Sequence, residues 1–409
     1  MSAILVDVIR GRRATPLAVL VSAAFVVGAC NSAASPSPAP SAPAAASAES
    51  PPAGASPSSA PSPGASGSLL DEANALLQTA QTHTTTWDGP TTGATAQTGK
   101  SIVYVAQDMR NGGVLGVSQG VKEAGAAIGW KVTIIDGLGT VAGRVAAINQ
   151  AVALKPDGIV LGSVDAQEEA AAIKAAAGQG IKIAGWHSAA AAGPVADPPI
   201  ITNVTTDATS VAKVAGAYAV QTTSGTAGAV IFWQSGDAIG IKKAETMRSV
   251  IQACSGCSVL DYVNTPLADT STRMPSETTS LLQRFSSKWT IGLGINDLYF
   301  DFAGPALQSA GVPSSGPPQF ISAGDGSVAA FQRVRTGQYQ IATVAEPLNE
   351  AGWQLVDELN RSFAGQTPSG YVAPVHIVTK DNIQFDGGPN NQYDPDNGYR
   401  DQYKKIWGV

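Results

Sequence analysis

From residue 100 onward, short continuous apolar runs alternate with stretches in which apolar residues recur every three or four positions. The run Ser101–Ala106 is apolar almost throughout, as in a strand that is buried on both faces of a sheet. The next stretch has the spacing of one helix face, with apolar residues at Val114, Val117, Val121, Ala124 and Ile128. The pattern therefore predicts a strand followed by a helix.

The same alternation repeats along most of the chain. In a first series we predict further strands at Val132–Ile135, Ile159–Leu161 and Ile181–Ala184, the last of which closes the series. Residues 165–168, Asp-Ala-Gln-Glu, have the form of a capping box that opens a helix through Ala177. A second series predicts strands at Ala229–Trp233, Val259–Val263, Thr290–Ile295, Gln319–Ala323 and Gln340–Ala345. Two such series predict an α/β fold with two doubly wound parallel-sheet lobes.

The N-terminus has the pattern of an export signal. Arg12 and Arg13 precede the apolar run Pro16–Val27, which is too short for a comfortable membrane span. The sequence Val-Gly-Ala-Cys at 27–30 resembles a bacterial lipobox, so we expect residues 1–29 to be a lipoprotein signal peptide and Cys30 to carry a lipid. The alternative is an ordinary secretory signal in which Cys30 is incidental. Either interpretation predicts an extracytoplasmic protein, and the first predicts one anchored to the cell membrane.

Composition separates a tether from the folded body. Residues 30–68 are almost entirely Ala, Ser, Pro and Gly and predict a disordered tether, and residues 69–99 predict a helix and a lead-in segment. Hydrophobic residues make up 44 % of the 409-residue chain, enough for two lobes with cores of their own. The net charge of −6 argues against a nucleic-acid partner, which requires a cationic surface.

Hydrogen-bonding residues stand directly after the predicted strands of both series. They are Gln107, Asp108, Asn111, His187, Gln234, Asn296, Asp297, Asp325 and Glu346, with Trp186 and Trp233 beside them. In open parallel sheets the ligand crevice lies beyond the carboxyl ends of the strands. Two facing sets of polar groups with aromatic residues therefore predict a site for a small polar, polyhydroxylated ligand.

Several short segments, taken in order, resemble one family. They are Asn111 at a helix start, Lys-Pro-Asp-Gly-Ile at 155–159, Asn-Asp at 296–297, Ala-Gly-Asp-Gly at 323–326 and Ala-Thr-Val-Ala-Glu-Pro at 342–347. The chain resembles the periplasmic binding protein type 1 family, in its sugar-binding branch typified by ribose-binding protein. The resemblance implies three crossovers between the lobes, near Asp207, Glu346 and Thr379. The first lobe would then comprise 100–206 plus 347–378 and the second 207–346 plus 379–409.

The resemblance also implies roles for individual residues. Asn111, Asn296 and Asp325 match family residues that bind ligand hydroxyls, Glu346 stands where an amide side chain is common, and Lys243 falls near a ligand-contacting arginine. The full predicted binding set is Gln107, Asp108, Asn111, Trp186, His187, Trp233, Lys243, Asn296, Asp325 and Glu346.

Two departures from the family pattern affect the predicted ligand. Gly112-Gly113-Val114 replaces a Pro-Phe-Phe segment whose rings stack on the sugar, and Trp186-His187 replaces an Asp-Arg pair. These changes make ribose itself a poor candidate. Trp186 and Trp233 could restore a stacking surface or could instead pack within the lobes, and His187 could be an ordinary surface or hinge histidine.

The family resemblance implies a monomeric receptor that captures a monosaccharide or polyol and delivers it to the permease of an ABC-type importer. The alternatives are a receptor of the same fold that signals to a sensor kinase or chemoreceptor, and a binder of a non-sugar molecule. We predict no enzyme, cofactor or metal, because the three histidines are isolated in sequence and no catalytic motif is present.

Cys254 and Cys257 lie between a predicted helix at Lys243–Ala253 and the predicted strand Val259–Val263, which favours a structural disulfide in an oxidising exterior. A redox pair of the thioredoxin type is the alternative. That motif begins a helix after a strand, and here the order is reversed.

Overall fold

The computed structural model describes residues 63–409, and their side chains from Ser68 onward. The predicted signal peptide, the lipid site at Cys30 and most of the tether lie outside the described residues. Among the described helices, none combines the length and the apolar character that a membrane crossing requires.

Two six-stranded sheets organise the described chain. The first has the strand order β2-β1-β3-β4-β6-β5 and the second has the order β12-β11-β10-β9-β7-β8. The strands are β1 Ser101–Ala106, β2 Lys131–Asp136, β3 Gly158–Gly162, β4 Lys182–Trp186, β5 Gly193–Val195, β6 Ile200–Val204, β7 Gly228–Trp233, β8 Ser258–Asn264, β9 Ile291–Gly294, β10 Gln319–Ser322, β11 Gln340–Thr343 and β12 Val378–Thr379. Only the edge strands β5 and β12 run antiparallel to their neighbours, so the prediction of two parallel-sheet lobes is confirmed.

Helices cover both sheets. They are α1 Pro63–Ala80, α2 Gly112–Ala127, α3 Val141–Ala153, α4 Ala170–Ala177, α5 Ala208–Thr222, α6 Ala238–Ala253, α7 Thr270–Phe285, α8 Leu298–Ser309, α9 Val328–Thr336, α10 Leu348–Phe363, α11 Ile383–Asp386 and α12 Tyr399–Trp407. The predicted apolar face of α2 is buried, with Val114, Val117 and Val121 fully inaccessible. Full burial of such a side chain contributes about 1.5–3 kcal/mol.

Two sequence-based element predictions need correction. The first sheet does not end at the predicted strand Ile181–Ala184, because β6 and β5 extend it. The helix predicted from Asp165 begins only at Ala170. The carboxylate of Asp165 instead accepts from the backbone N–H groups of Gln167 and Glu168, which fixes a turn ahead of the helix.

The two chain ends of the folded body pack on different lobes. Helix α1 packs on α5 and α6 of the second lobe, where Ala73 and Leu77 join the core. Helix α12 packs on α10 in the first lobe, and the Trp353 and Trp407 rings lie parallel with centroids 5.4 Å apart. The assignment of the whole segment 379–409 to the second lobe is therefore wrong, because α12 completes the core of the first.

The cysteine pair joins α6 to β8 as predicted. Cys254 and Cys257 form a disulfide at the turn between the two elements. This turn lies at the start of β8, so it stands at the sheet edge opposite the carboxyl ends of the parallel strands.

Candidate functional site

Polar residues from the strand ends of both lobes converge on one small cavity. Five of the predicted binding residues line it: Asn111, His187, Lys243, Asn296 and Asp325. Ser163, Asp237, Ile239, Gly240, Leu267 and Ile295 complete the lining. The free volume of the cavity is about 10 Å³, far less than the ~300–1,000 Å³ of pockets for drug-sized ligands. The lobes are therefore closed against one another, and the cleft must open to admit a solute larger than a water molecule.

Local structure fixes the two asparagines. Asn111 is the N-cap of α2, and its Oδ1 accepts from the backbone N–H groups of Gly113 at 2.8 Å and Val114 at 3.4 Å. Asn296 follows β9, and its Oδ1 accepts from the N–H of Leu298 at 3.1 Å. Each amide is thus oriented by a backbone donor at the start of the following helix, which is the role of a cap.

Four ionisable side chains meet at the centre of the cleft, and we call His187, Lys243, Asp325 and Glu346 the ion quartet. His187 Nε2 lies 2.8 Å from Glu346 Oε1, and its Nδ1 lies 4.0 Å from Asp325 Oδ1. Lys243 Nζ lies 3.7 Å from a carboxylate oxygen of both Asp325 and Glu346. All four residues are at most 4 % exposed, so the members of the quartet interact with one another out of contact with bulk water.

The pKa values of the two carboxyl groups of the quartet are shifted in opposite directions. Burial raises the pKa of Asp325 to about 6, because Lys243 and His187 compensate it only from 3.7 and 4.0 Å. Burial also opposes the ionisation of Glu346, but the charge and hydrogen bond of His187 outweigh it and lower the pKa of Glu346 to about 2. Asp325 is therefore the carboxylate with unused capacity to accept hydrogen bonds.

Three members of the quartet could in principle reach one metal ion. Ligand atoms of His187, Asp325 and Glu346 lie within 4.8 Å of one another. The ammonium of Lys243 already lies 3.7 Å from both carboxylates, and a cation between them would meet its charge at short range. The arrangement fits an internally paired polar cluster better than a metal centre.

The family is shown by sequence. A family model described as periplasmic binding protein domain matches residues 102–367, which include both sheets apart from the edge strand β12 and part of β1. The chain belongs to the periplasmic binding protein family. A comparison with curated protein sequences finds no significant match.

Solved structures share the fold of this periplasmic binding protein at low sequence identity. An ABC sugar transporter subunit from Rhodobacter sphaeroides 2.4.1 is similar with a TM-score of 0.60 and 20 % identity, covering 69 % of this chain and 99 % of that one. A solute-binding protein from Agrobacterium vitis with bound allitol gives 0.61 and 18 %, covering 71 % and 98 %. One from Mycobacterium smegmatis with bound glycerol gives 0.62 and 15 %, covering 72 % and 99 %. At these identities the likeness establishes the fold.

The tryptophans of this binding protein lie outside the cavity lining. Trp186 has 0 % exposure and belongs to the first-lobe core, with its ring stacked on His187 at 3.9 Å between centroids. Trp233 packs on Tyr262 with centroids 4.8 Å apart. The expected stacking surface for a sugar is therefore absent from the described cleft, and Trp186 supports His187 from behind.

Gln107 and Asp108 are also buried but do not line the cavity. Asp108 forms an ion pair with Arg110 at 2.6 Å, which satisfies its carboxylate locally. The Oε1 of Gln107 has no hydrogen-bond partner within residues 63–409. Glu346 likewise stands behind the lining, in contact with His187 and Lys243.

The glycines that replace the family's aromatic segment allow a close approach of the lobes. A β-carbon on Gly113 would lie under 3.0 Å from Oδ2 of Asp325, and one on Gly112 would meet the β-carbon of Ser327 equally closely. The start of α2 can therefore reach the opposite lobe only because these positions carry no side chain.

Sequence reasoning missed Asp237, the N-cap residue of α6. It was recognisable as an Asp ahead of an apolar helix, but its helix was predicted to begin later, at Lys243. Gln234, at the end of β7, donates from Nε2 to Asp237 Oδ2 at 3.1 Å and accepts from the N–H of Leu267 at 3.0 Å. Asp165 was also missed as a contact between lobes, since its Oδ2 accepts from the N–H of Ala238 at 2.9 Å.

Proposed function

We propose that this periplasmic binding protein is the extracytoplasmic receptor of an ABC-type importer that captures a monosaccharide or polyol and delivers it to a membrane permease. The observation that carries the proposal is the convergence of hydrogen-bonding side chains from both lobes on one enclosed cavity. Structural neighbours support a ligand of this class, since solute-binding proteins of the same fold are known with bound allitol, glycerol and tagatopyranose.

The polar side chains that line the cavity can form hydrogen bonds with hydroxyl groups. A hydroxyl donates one hydrogen bond and accepts others, so it needs donors and acceptors side by side. The ammonium of Lys243 and the amides of Asn111 and Asn296 supply donors, and the carboxylate of Asp325 supplies an acceptor with spare capacity. Ligand hydroxyls at hydrogen-bond distance would satisfy Lys243 and Asp325 better than the 3.7 Å contact that these two residues make with each other.

Binding would act through lobe closure. The quartet joins His187 of the first lobe to Lys243, Asp325 and Glu346 of the second, and Asp165 joins the first lobe to the start of α6. A ligand that contacts both sides favours the closed state by its difference in affinity between the two states. The permease would then recognise the closed shape.

The N-terminal part of the chain would hold the receptor at the membrane. We propose that Cys30 carries a lipid, that residues 30–68 tether the body to the membrane, and that the protein works as a monomer without catalytic activity. The acidic net charge of −6 agrees with a partner other than nucleic acid.

A sensor of the same fold is the second candidate. Solute uptake by cells distinguishes an importer's receptor from a sensor, because deleting the gene for the receptor abolishes uptake whereas deleting the gene for the sensor does not.

The test is a melting screen of the purified protein against neutral monosaccharides and polyols. A ligand present at 100 times its Kd stabilises the protein by about 2.7 kcal/mol and raises Tm. A screen in which no sugar or polyol shifts Tm would remove the carbohydrate assignment.

Variants locate the site once a ligand is found. We expect Asn296→Ala and Asp325→Ala each to weaken binding by about 1–3 kcal/mol, since a ligand hydroxyl loses its partner. Asn149→Ala, on the exposed face of α3, is the matched control and should bind as the parent does. Full affinity in both cleft variants would show that the ligand binds elsewhere.

A further inference from the structure

The cleft carries more acid than its bases balance. In the ion quartet Lys243 and His187 face Asp325 and Glu346, and Arg144 pairs with Glu168 and Glu169 in the first lobe. Asp165, Asp237 and Asp297 remain: within residues 63–409, no Lys, Arg or His nitrogen lies within 4.0 Å of any of these three carboxylates. A buried carboxylate without a countercharge is costly, so this excess requires a specific explanation.

Asp165 is accounted for by backbone donors. Its oxygens accept from the N–H groups of Gln167 and Glu168 on its own loop and of Ala238 on the other lobe. Three such bonds stabilise a carboxylate without any cation. Asp297 is satisfied as well, because its oxygens accept from the N–H groups of Gly326 and Ser327 and from the side chains of Ser322 and Gln340. The unexplained group is therefore Asp237 alone.

Asp237 has one oxygen that nothing satisfies. The residue is 7 % exposed and lines the cavity. Its Oδ2 accepts from Gln234, but Oδ1 is buried and, in the described part of the chain, has no hydrogen-bond partner. Burial raises the pKa of Asp237 and the negative charge of Asp165 adds to the effect, while the hydrogen bonds from Gln234 and the backbone of Gly240 and the proximity of His187 only partly oppose it. A cationic donor entering the cavity would relieve both the missing hydrogen bond and the missing charge.

We propose that the ligand carries a protonated amine beside its hydroxyl groups, as in an amino sugar or amino polyol, and that Asp237 Oδ1 accepts a hydrogen bond from that ammonium. This inference rests on the proposed function, because it places the amine on a solute of the same size and polarity. The hydroxyls would meet Asn111, Asn296 and Asp325, and the ammonium would meet the α6 side of the cavity, where Asp237 lies. A bare metal ion is a poorer fit, since it requires several ligands and Asp237 offers a single free oxygen.

The experiment compares matched pairs of sugars by calorimetry at one ionic strength. Glucosamine, galactosamine and mannosamine are each titrated beside the parent hexose and the N-acetyl form, which lacks the positive charge. We expect at least one amine to bind tenfold or more tightly than its neutral parent, the range for a hydrogen bond to a charged group. The N-acetyl form should lose that advantage.

The variant Asp237→Asn identifies the acceptor. It removes the charge and keeps the shape, so we expect the ratio of the neutral hexose Kd to the amine Kd to fall to about one, whatever the change in the Kd of the hexose itself. Glu245→Gln, on the exposed face of the same helix, is the control and should keep the preference. An unchanged Tm of Asp237→Asn without ligand would show that the fold is intact.

The outcomes separate the two proposals. If neutral hexoses bind and amines bind no better, or if Asp237→Asn keeps the preference, the amine inference is refuted and the sugar receptor stands. If neither amino nor neutral sugars and polyols bind, both are refuted. A Tm increase with a divalent cation alone that Asp237→Asn abolishes would replace the amine by a metal ion.

Discussion

Replacing Asp325 by Asn should change how stability depends on pH. In the ligand-free protein, burial raises the pKa of this carboxyl from 3.8 to about 6. The folded state therefore binds its proton more tightly than the unfolded state does. Such a group contributes stability that is fully present below about pH 4 and is lost as the pH rises through about 6. Asparagine cannot ionise, so Asp325→Asn should not show this loss.

The magnitude follows from the size of the shift. A difference of about two pH units at about 1.4 kcal/mol each gives about 3 kcal/mol as an upper figure. The unfolded carboxyl is already mostly ionised at pH 4.5, so we expect the free energy of unfolding of Asp325→Asn, relative to the parent, to rise by up to about 2 kcal/mol of this total between pH 4.5 and 7.5. Glu346 adds no pH dependence in this range. Its pKa is lowered to about 2, so the stability that it contributes is lost only as the pH falls below about 4.5.

The assay is urea unfolding followed by circular dichroism at several pH values without ligand. Asp71→Asn, an exposed carboxyl on α1, is the control and should show the same pH dependence as the parent. A difference between Asp325→Asn and the parent that stays constant from pH 4.5 to 7.5 would refute the argument. It would mean that Lys243 and His187 compensate the buried carboxylate fully despite their distances.

Three further variants test the packing around the cleft. Trp186→Ala should lower the free energy of unfolding by about 3–5 kcal/mol, measured in urea, because the ring is fully buried. Cys254→Ser opens a four-residue loop and should cost about 2 kcal/mol in the same assay without changing ligand affinity, since the disulfide lies at the far sheet edge. Gly113→Ala should weaken binding at least tenfold by calorimetry, because its β-carbon would meet Asp325 in the closed state, whereas Gly304→Ala has room for the methyl group and should bind normally.

Most strands were predictable because a strand that is buried on both faces appears in the sequence as a continuous apolar run. Ser101–Ala106 is predicted and observed with the same bounds, since a strand covered on both faces must be apolar along its length. Strands β5 and β6 were not predicted. Gly193–Val195 is short, and Ile200–Val204 has Thr and Asn in its middle, so neither has a continuous apolar run. Their pairing at the sheet edge is a tertiary effect that overrides local pattern.

The lobe of the last helix could not be read from local pattern either. Tyr399, Tyr403 and Trp407 recur every four residues and mark one helix face. Which surface that face covers depends on Trp353, about 50 residues away on α10, and on the hydrogen bond from Trp407 Nε1 to Asp357 at 2.8 Å. Sequence spacing predicts that such a face is buried, but it does not name its partner.

Within the candidate site, the rule of strand ends placed Asn111, His187, Asn296 and Asp325 at the cavity but failed for Trp186. Strand geometry ends at Trp186, because the backbone of His187 is left-handed with a φ of 54°, and the His187 ring stacks on the cavity side of the Trp186 ring. Trp186 is the last residue of β4 and enters the helical layer of the first lobe, whereas His187 follows the strand and lines the cavity. The rule of strand ends therefore places His187 at the cavity correctly but fails for Trp186, whose ring is in the core.

The glycines of α2 and the buried tryptophan together imply how the cleft distinguishes ligands. Sugar recognition through stacking requires a ring at the cavity wall, yet Gly112 and Gly113 leave no room for one and Trp186 is buried behind His187. Discrimination must then come from hydrogen bonds and charge, which depend more steeply on the identity of a functional group than apolar contact does. A cleft built in this way would reject an analogue that lacks one polar group, because Asp325 or Asp237 would stay buried without a partner.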